Sequence, residues 1–347
     1  MLEFYQGKRV FITGHTGFKG SYLTKVLTML GAKVKVYSLA CENEFELFNC
    51  LNLKNEIESV DGDIRDLQKL TYEINEFQPE IIFHLAAQPL VRESYENPAY
   101  TYETNVMGTV NVLEAIRNCK SVKSVVNVTT DKVYENKEWE YGYRENDVLN
   151  GFDPYSNSKS CSEIITSSYK KSFFSNRDIA ISTARAGNVI GGGDYAKDRI
   201  IPDCVRAAQK GEYILVRNPQ SIRPYQHVLE AISAYLLIAE RQYFDKGIQN
   251  SYNVGPDENA CVKTSRLVDI FCEKWGNDMC WIDKSIKNAV HESNYLKLDC
   301  SRIKNKLDWK PKLNIDEAIL MTVEWEKYDL KEKKDITEKQ IENYFKV

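Results

Sequence analysis

Three glycines, Gly14, Gly17 and Gly20, stand in VFITGHTGFKGSYL between the β-branched run Arg9–Thr13 and the amphipathic stretch Lys19–Leu30. A residue without Cβ lets the turn be tight. It also lets backbone N–H groups approach an anion at a helix start, where the dipole favours negative charge. Leu23, Val26, Leu27 and Leu30 recur at the period of a helix with one buried face, and Gly31 closes it. A second β-branched run, Lys33–Ser38, completes a strand–loop–helix–strand unit of dinucleotide-binding size. A glycine triplet alone is equally what a plain turn looks like, and only the flanking strand and helix raise it to a phosphate cradle. Gly14 is followed five positions on by Lys19 rather than by Gly-Lys-Ser/Thr, which excludes a nucleotidase P-loop.

Ile81–Leu85, Ser124–Val128 and Ile179–Thr183 read as further buried parallel strands, with Ala99–Ala115 and Tyr155–Tyr169 as helices between them. Beyond about residue 186 the texture changes to loops rich in Gly, Pro and Arg, of the kind that contact ligands. Helical periodicity resumes at Leu229–Arg241, Thr264–Trp275 and Asp316–Tyr328, and LKEKKDITEK reads as a charged, solvated helix end. The expected fold is α/β, a Rossmann-like doubly wound parallel sheet with a smaller C-terminal substrate-binding lobe. Residues 1–186 with roughly 223–250 are expected in the dinucleotide-binding domain, and 187–222 with 251–347 in the lobe.

Charge excludes one class of partner: 46 basic against 50 acidic residues leave a net charge of −4 and no basic field for nucleic acid. No apolar run is long enough for a membrane span, and the N-terminus has no signal-peptide pattern, so a cytoplasmic protein is expected. Nine scattered cysteines without a CxxC pair, and only four histidines, argue against a disulfide framework or a metal site.

YSNSK places Tyr155 and Lys159 on one helix face. In a chain with 21 tyrosines such a pair arises by chance, so its position carries the weight: it follows VTTDK, at the carboxyl end of a predicted strand, where open sheets bind ligands. A lysine ammonium and an oxidised nicotinamide nearby would both depress the phenol's pKa. Thr130 can share the proton of a substrate hydroxyl. An acid at Asp131 suggests a task beyond hydride transfer, such as protonating a departing hydroxyl; the plain alternative is a loop cap beside a solvated Lys132. The second strand ends without an Asp or Glu for an adenosine ribose and without an Arg for a 2′-phosphate, so NAD and NADP both stay open.

Together GHTGFKGS, HLAAQPLVRESYENP, TDKVYEN, YSNSK, ARAGNVIGGGD and RNPQSIRPYQHVLE resemble the sugar-nucleotide dehydratase branch of the extended short-chain dehydrogenase/reductases, and within it the CDP-glucose 4,6-dehydratases. His15 and Lys19 inside the glycine loop, and Asp131–Lys132 where many relatives carry Asp–Glu, are the distinctive marks. Tyr225 departs from the usual Trp and Val133 from a common Cys. The resemblance implies a tightly bound NAD. Its contacts would be Gly14, His15, Thr16, Gly17, Phe18, Lys19, Gly20, Asp63, Ile64, Leu85, Ala86, Ala87, Asn105 and Thr129, with Tyr155 and Lys159. Asp63 reads equally well as a helix cap.

The resemblance further implies that Asn188 and Arg223 hold the substrate diphosphate and that Gln88 and Arg92 face the sugar. Arg199 and Arg217 are either phosphate donors or solvated, and His227 is either at the substrate or a satisfied buried histidine. Tyr155 would take the 4-hydroxyl proton as hydride leaves C4, Asp131 would protonate the departing 6-hydroxyl, and a partly neutral Lys132 would take the C5 proton. Hydride return to C6 yields CDP-4-keto-6-deoxyglucose and water. A 4-epimerase or 4-ketoreductase, which needs no Asp131, and a non-catalytic dinucleotide sensor are the alternatives. Homodimers or homotetramers formed through Ala99–Ala115 and Tyr155–Tyr169, and a place in bacterial surface deoxysugar synthesis such as lipopolysaccharide O-antigen, complete the expectation.

Overall fold

The computed structural model describes residues 3–41, 46–285 and 294–346. Seven parallel strands, β1 (Arg9–Thr13), β2 (Lys33–Ser38), β3 (Glu58–Asp61), β4 (Ile81–His84), β5 (Ser124–Val128), β6 (Ala180–Ala186) and β7 (Ser251–Val254), form one sheet in the order β3-β2-β1-β4-β5-β6-β7. Side chains alternate along each strand. Val10, Ile12, Ile81, Phe83 and Val126 therefore enter one core, beneath helices Phe18–Met29 and Val228–Phe244. Phe11, Ile82, Val125 and Ile181 enter a second, beneath helices Leu67–Phe77, Gly108–Arg117 and Pro154–Phe173. The doubly wound α/β sheet is the fold.

Two strands go beyond the sequence reading. β3 (ESVD) is a half-exposed edge with one apolar residue, so it shows no periodic signal. β7 pairs with β6, which moves residues 251–254 out of the expected lobe and into the sheet. Nor is Ala99–Ala115 one helix: Pro98–Tyr102 and Gly108–Arg117 are separated by a π-helical turn, Glu103–Met107. In that wider turn Asn105 accepts from the Gln88 N–H at 2.8 Å and donates to Gln88 O at 3.0 Å and Ser158 Oγ at 2.9 Å.

The remaining elements build a third core around Ile201, Val205, Leu267, Phe271, Ile319 and Val323. Helices Ile200–Lys210, Thr264–Trp275 and Ile315–Lys327 pack there with three two-stranded pairs. The charged C-terminal segment is not a solvated end. Its helix Lys333–Phe345 buries Ile336, Ile341, Tyr344 and Phe345, and the Lys333 ammonium lies 3.9 Å from the Trp325 ring centroid. Among the described residues no helix is long and apolar enough to cross a membrane, and no group of three His, Cys, Asp or Glu side chains could hold a metal.

Candidate active site

Strand order reverses between β2-β1 and β4-β5, and the crevice at the carboxyl ends of these strands is where an open α/β sheet binds ligands. The glycine loop stands at that edge, and its glycines answer to space. Gly14 has φ +76°, and a Cβ on it would come within 2.5 Å of the Ala86 backbone nitrogen. A Cβ on Gly20 would lie 2.1 Å from Gly14 O. The helix that follows has Gly17 as its N-cap and no side-chain cap, so its first N–H groups stay open to an anion. This donor set fits the pyrophosphate of a dinucleotide.

Several residues expected at the cofactor turn their side chains elsewhere. The His15 ring is buried edge-on against Phe48, 3.3 Å from Ser59 Oγ, and burial brings its pKa down to about 4. Thr16 pairs with Ser38 at 3.0 Å. Asn105 is occupied by Gln88 and Ser158, and Thr129 donates to Glu163 Oε1 at 2.5 Å. Asp63 is held by Arg65 at 2.6 Å, which also lowers its pKa, and the cap of helix Leu67–Phe77 is Asp66 rather than Asp63. Ile64 is buried, and its carbonyl accepts from Asn111. After β4, Leu85 N–H donates to Thr13 O at 3.1 Å and Ala86 N–H to Thr13 Oγ1 at 3.3 Å.

One cleft of about 1090 Å³ brings together Phe18, Lys19, Thr130, Asp131, Lys132 and Tyr155 from the sheet side with Asn188, Arg199, Arg217 and Arg223 from the far side, and Arg92 at its mouth. Asp131 is 2% exposed: Oδ1 accepts from Thr130 Oγ1 at 2.9 Å, while Oδ2 has no hydrogen-bond partner among the described residues. Burial raises its pKa, against the pull of Lys132, Thr130, Arg223 and Lys19. Among the described residues no backbone N–H donates to this carboxyl, which is not the pattern of a loop cap. Lys19 also faces the cleft floor near Arg199, Asp131 and Asp194, and burial brings it down to about 8.

From the protein's own groups the Tyr155 phenol is pushed up to about 12, since burial outweighs Thr130 and Arg199 while Asp131 and Asp153 add to the rise. Lys159, the cation that expectation relied on, is brought down to about 7 by burial and by Lys19; its Nζ donates to Val128 O at 3.2 Å. Behind it lies a group the sequence reading missed. Glu163, one helical turn beyond Lys159, accepts from Arg185 at 2.9 Å, Thr183 at 2.7 Å and Thr129. Arg185 donates on to Tyr134 OH at 2.9 Å, a residue of the cleft wall. The i, i+4 spacing of two charged residues on the YSNSK helix was its only sequence signal.

Two expected substrate residues lie outside the cleft lining. Gln88 folds back, its amide on Thr101 Oγ1 at 2.8 Å and its carbonyl accepting from Leu90 N–H. His227 is fully buried, its Nδ1 capping Leu229 N–H at 3.3 Å, and burial brings it down to about 3; it is buried as the second alternative has it, but its Nε2 has no partner among the described residues. The arginines carry anions already: Arg199 with Asp194 at 2.9 Å, Arg217 with Asp198 at 2.6 Å, and Arg92 with Asp198 at 3.2 Å.

Residues 11–322 match the family model described as GDP-mannose 4,6 dehydratase. The chain is 48% identical to CDP-glucose 4,6-dehydratase of Salmonella typhimurium, over 94% of this chain and 92% of that protein. Among solved structures it is similar to UDP-glucose 4-epimerase of Thermotoga maritima with UDP-glucose, at TM-score 0.80 and 23% identity over 91% of this chain and 97% of that one. It is also similar to dTDP-glucose 4,6-dehydratase of Bacillus anthracis in complex with NAD, at TM-score 0.76 and 22% identity over 92% and 96% of the two chains.

Proposed function

The chain belongs to the GDP-mannose 4,6-dehydratase family, and on that premise we propose that it is an NAD-dependent hydro-lyase converting CDP-glucose to CDP-4-keto-6-deoxyglucose and water. The observation that carries this reading is the Asp131 carboxyl, buried in the same cleft as Tyr155 with Oδ2 unshared. Oxidation of a sugar hydroxyl needs no such acid. Elimination does.

The glycine loop holds the dinucleotide pyrophosphate on the open N–H groups of helix Phe18–Met29. When bound, an oxidised nicotinamide supplies the hydride acceptor and a positive charge that lowers the Tyr155 phenol. Tyr155 takes the proton of the 4-hydroxyl, and Thr130 orients that hydroxyl. A ketone at C4 makes the C5 hydrogen acidic. Lys132, half-buried in the cleft, takes that proton, and Asp131 protonates the departing 6-hydroxyl, which leaves as water. Burial holds Asp131 toward the protonated form that an acid requires. The hydride lost at C4 ends at C6, C5 regains a proton, and no reductant is consumed. Arg223, 7% exposed in the cleft, with Asn188, holds the diphosphate, and Arg199, Arg217 and Arg92 exchange their aspartates for it. The lobe beyond residue 186 is thus the sugar-nucleotide half of the site. Within this proposal the protein works as a cytoplasmic homo-oligomer in bacterial surface deoxysugar synthesis.

Incubation with CDP-glucose and NAD in heavy water should give a keto product carrying deuterium at C5, with no net reduced cofactor. Asp131→Asn should slow elimination by about 10²–10⁴ while C4 oxidation continues, so that reduced nicotinamide collects on the enzyme. An isomeric hexose without label at C5 would establish the epimerase reading instead.

A further inference from the structure

Gly187 follows β6 in ARAGNV and lines the cleft beside Asp131. Its φ is not in the left-handed region, so the backbone there would accept any residue. Space forbids one. A Cβ at this position would lie 2.9 Å from Asp131 Oδ2, 3.3 Å from Asp131 Cγ and 2.6 Å from Pro224 Cγ. Of these neighbours, Pro224 is a buried ring set in the chain between Arg223 and Tyr225. The Asp131 carboxyl is the end of a rotatable side chain: Thr130 Oγ1 holds Oδ1, while Oδ2, the oxygen toward position 187, has no hydrogen-bond partner among the described residues. A methyl group at position 187 therefore presses on two neighbours, the Pro224 ring, which yields little, and the carboxyl, which can turn away. Neither Tyr155 nor Thr130 is among the nearest atoms it would meet.

We propose that Gly187 is a positioning residue for the elimination: the gap left by its missing side chain lets the Asp131 carboxyl keep its place at the cleft wall, with Oδ2 unbonded until the departing hydroxyl reaches it. The inference rests on the assignment of Asp131 as the acid. It separates two halves of the reaction that share one site. Oxidation at C4 depends on Tyr155 and Thr130 and does not need the gap. Loss of the 6-hydroxyl does, and a displacement of the acid by about 1 Å is enough to cost on the order of 10²-fold in rate.

The test is Gly187→Ala, assayed with CDP-glucose and NAD in heavy water. The variant should oxidise C4 within about twofold of wild type yet eliminate about 10²-fold more slowly, with reduced nicotinamide held on the enzyme and slow deuterium entry at C5. In an Asp131→Ala background, where no carboxyl is left to displace, adding Gly187→Ala should change elimination no further, a coupling that general damage to the fold would not produce. Gly187→Ala/Pro224→Ala removes the ring collision and keeps the carboxyl one, so it should fold as wild type and retain the defect. Recovery of elimination in that double variant, or equal loss of oxidation and elimination in Gly187→Ala, overturns the proposal. If Asp131→Asn itself eliminates at the wild-type rate, it is the acid assignment that falls, and with it the ground on which the role of Gly187 stands.

Discussion

The two walls of the cleft hold their polar groups in opposite ways. Behind the sheet-side wall they are buried and bonded to one another: Lys159 to Val128 O, Thr129 and Arg185 to Glu163, Asn105 to Gln88 and Ser158. Asp131 lines the cleft itself, and its buried Oδ2 has no hydrogen-bond partner among the described residues. On the lobe side and at the mouth, arginine side chains 34–47% exposed meet aspartates, Arg92 and Arg217 an Asp198 that is 40% exposed and Arg199 a buried Asp194. Buried pairs are costly to break, whereas exposed ones are worth little and exchange easily for another anion. In the proposed reaction one wall would be set before substrate arrives, and the other would trade carboxylates for phosphates when it does.

Changes on the set wall should have the largest effects. Tyr155→Phe removes the proton acceptor at C4 and nothing from the packing; oxidation should fall by about 10²–10⁴ in single-turnover absorbance with the melting temperature unchanged. Wild-type turnover would remove Tyr155 from the mechanism. Glu163→Gln leaves the Arg185 guanidinium, 2% exposed, without its anion, and urea titration should show a loss of about 3–5 kcal/mol. A loss below about 1 kcal/mol would mean that this pair does not hold the wall.

The exchanging wall should answer in affinity instead. Arg223→Ala should weaken the sugar nucleotide by about 1.5–3 kcal/mol, tenfold or more by calorimetry, and leave cofactor affinity unchanged. Arg92→Ala, whose ion pair is exposed, should cost about 1 kcal/mol or less and fade at high salt. Equal effects of the two substitutions would erase the distinction between a buried donor and an exchangeable one.

The mildest test uses pH. His84 and His227 are buried, and each is brought down from 6.5 to about 3. Above 6.5 both folded and unfolded forms are neutral and nothing is gained or lost. Below it the unfolded chain takes a proton that the folded chain refuses. Stability should therefore fall as pH drops through this window, by about 1.4 kcal/mol per pH unit per histidine. His227→Asn keeps a side-chain acceptor for the Leu229 N–H and should flatten one share of that slope in acid titrations followed by circular dichroism.

β1, β2, β5 and helix Thr264–Trp275 lie where hydrophobic period alone puts them, to the residue, because alternation and the 3.6-residue repeat are local. β3 and β7 were not legible, since the exposed edge ESVD carries no such repeat and the polar–apolar alternation of SYNV runs for only four residues. The glycine loop and the Tyr155–Lys159 spacing were readable for the same local reason: steric demand and helical pitch act within a few residues. The directions of His15, Asn105 and Thr129 were not, because the partners that claim those side chains come from Ser59, Gln88, Ser158 and Glu163.

Chain order is therefore enough for the βαβ units, the glycine loop and the groups proposed to react. Their chemical state is another matter. Whether a carboxyl in TDK is a loop cap or a protonated acid depends on desolvation by everything packed around it. At Asp131 that surrounding is drawn from β5, from the loop after β6 that supplies Gly187, and from the Arg223–Pro224 turn, segments that meet only when the sheet closes against the lobe.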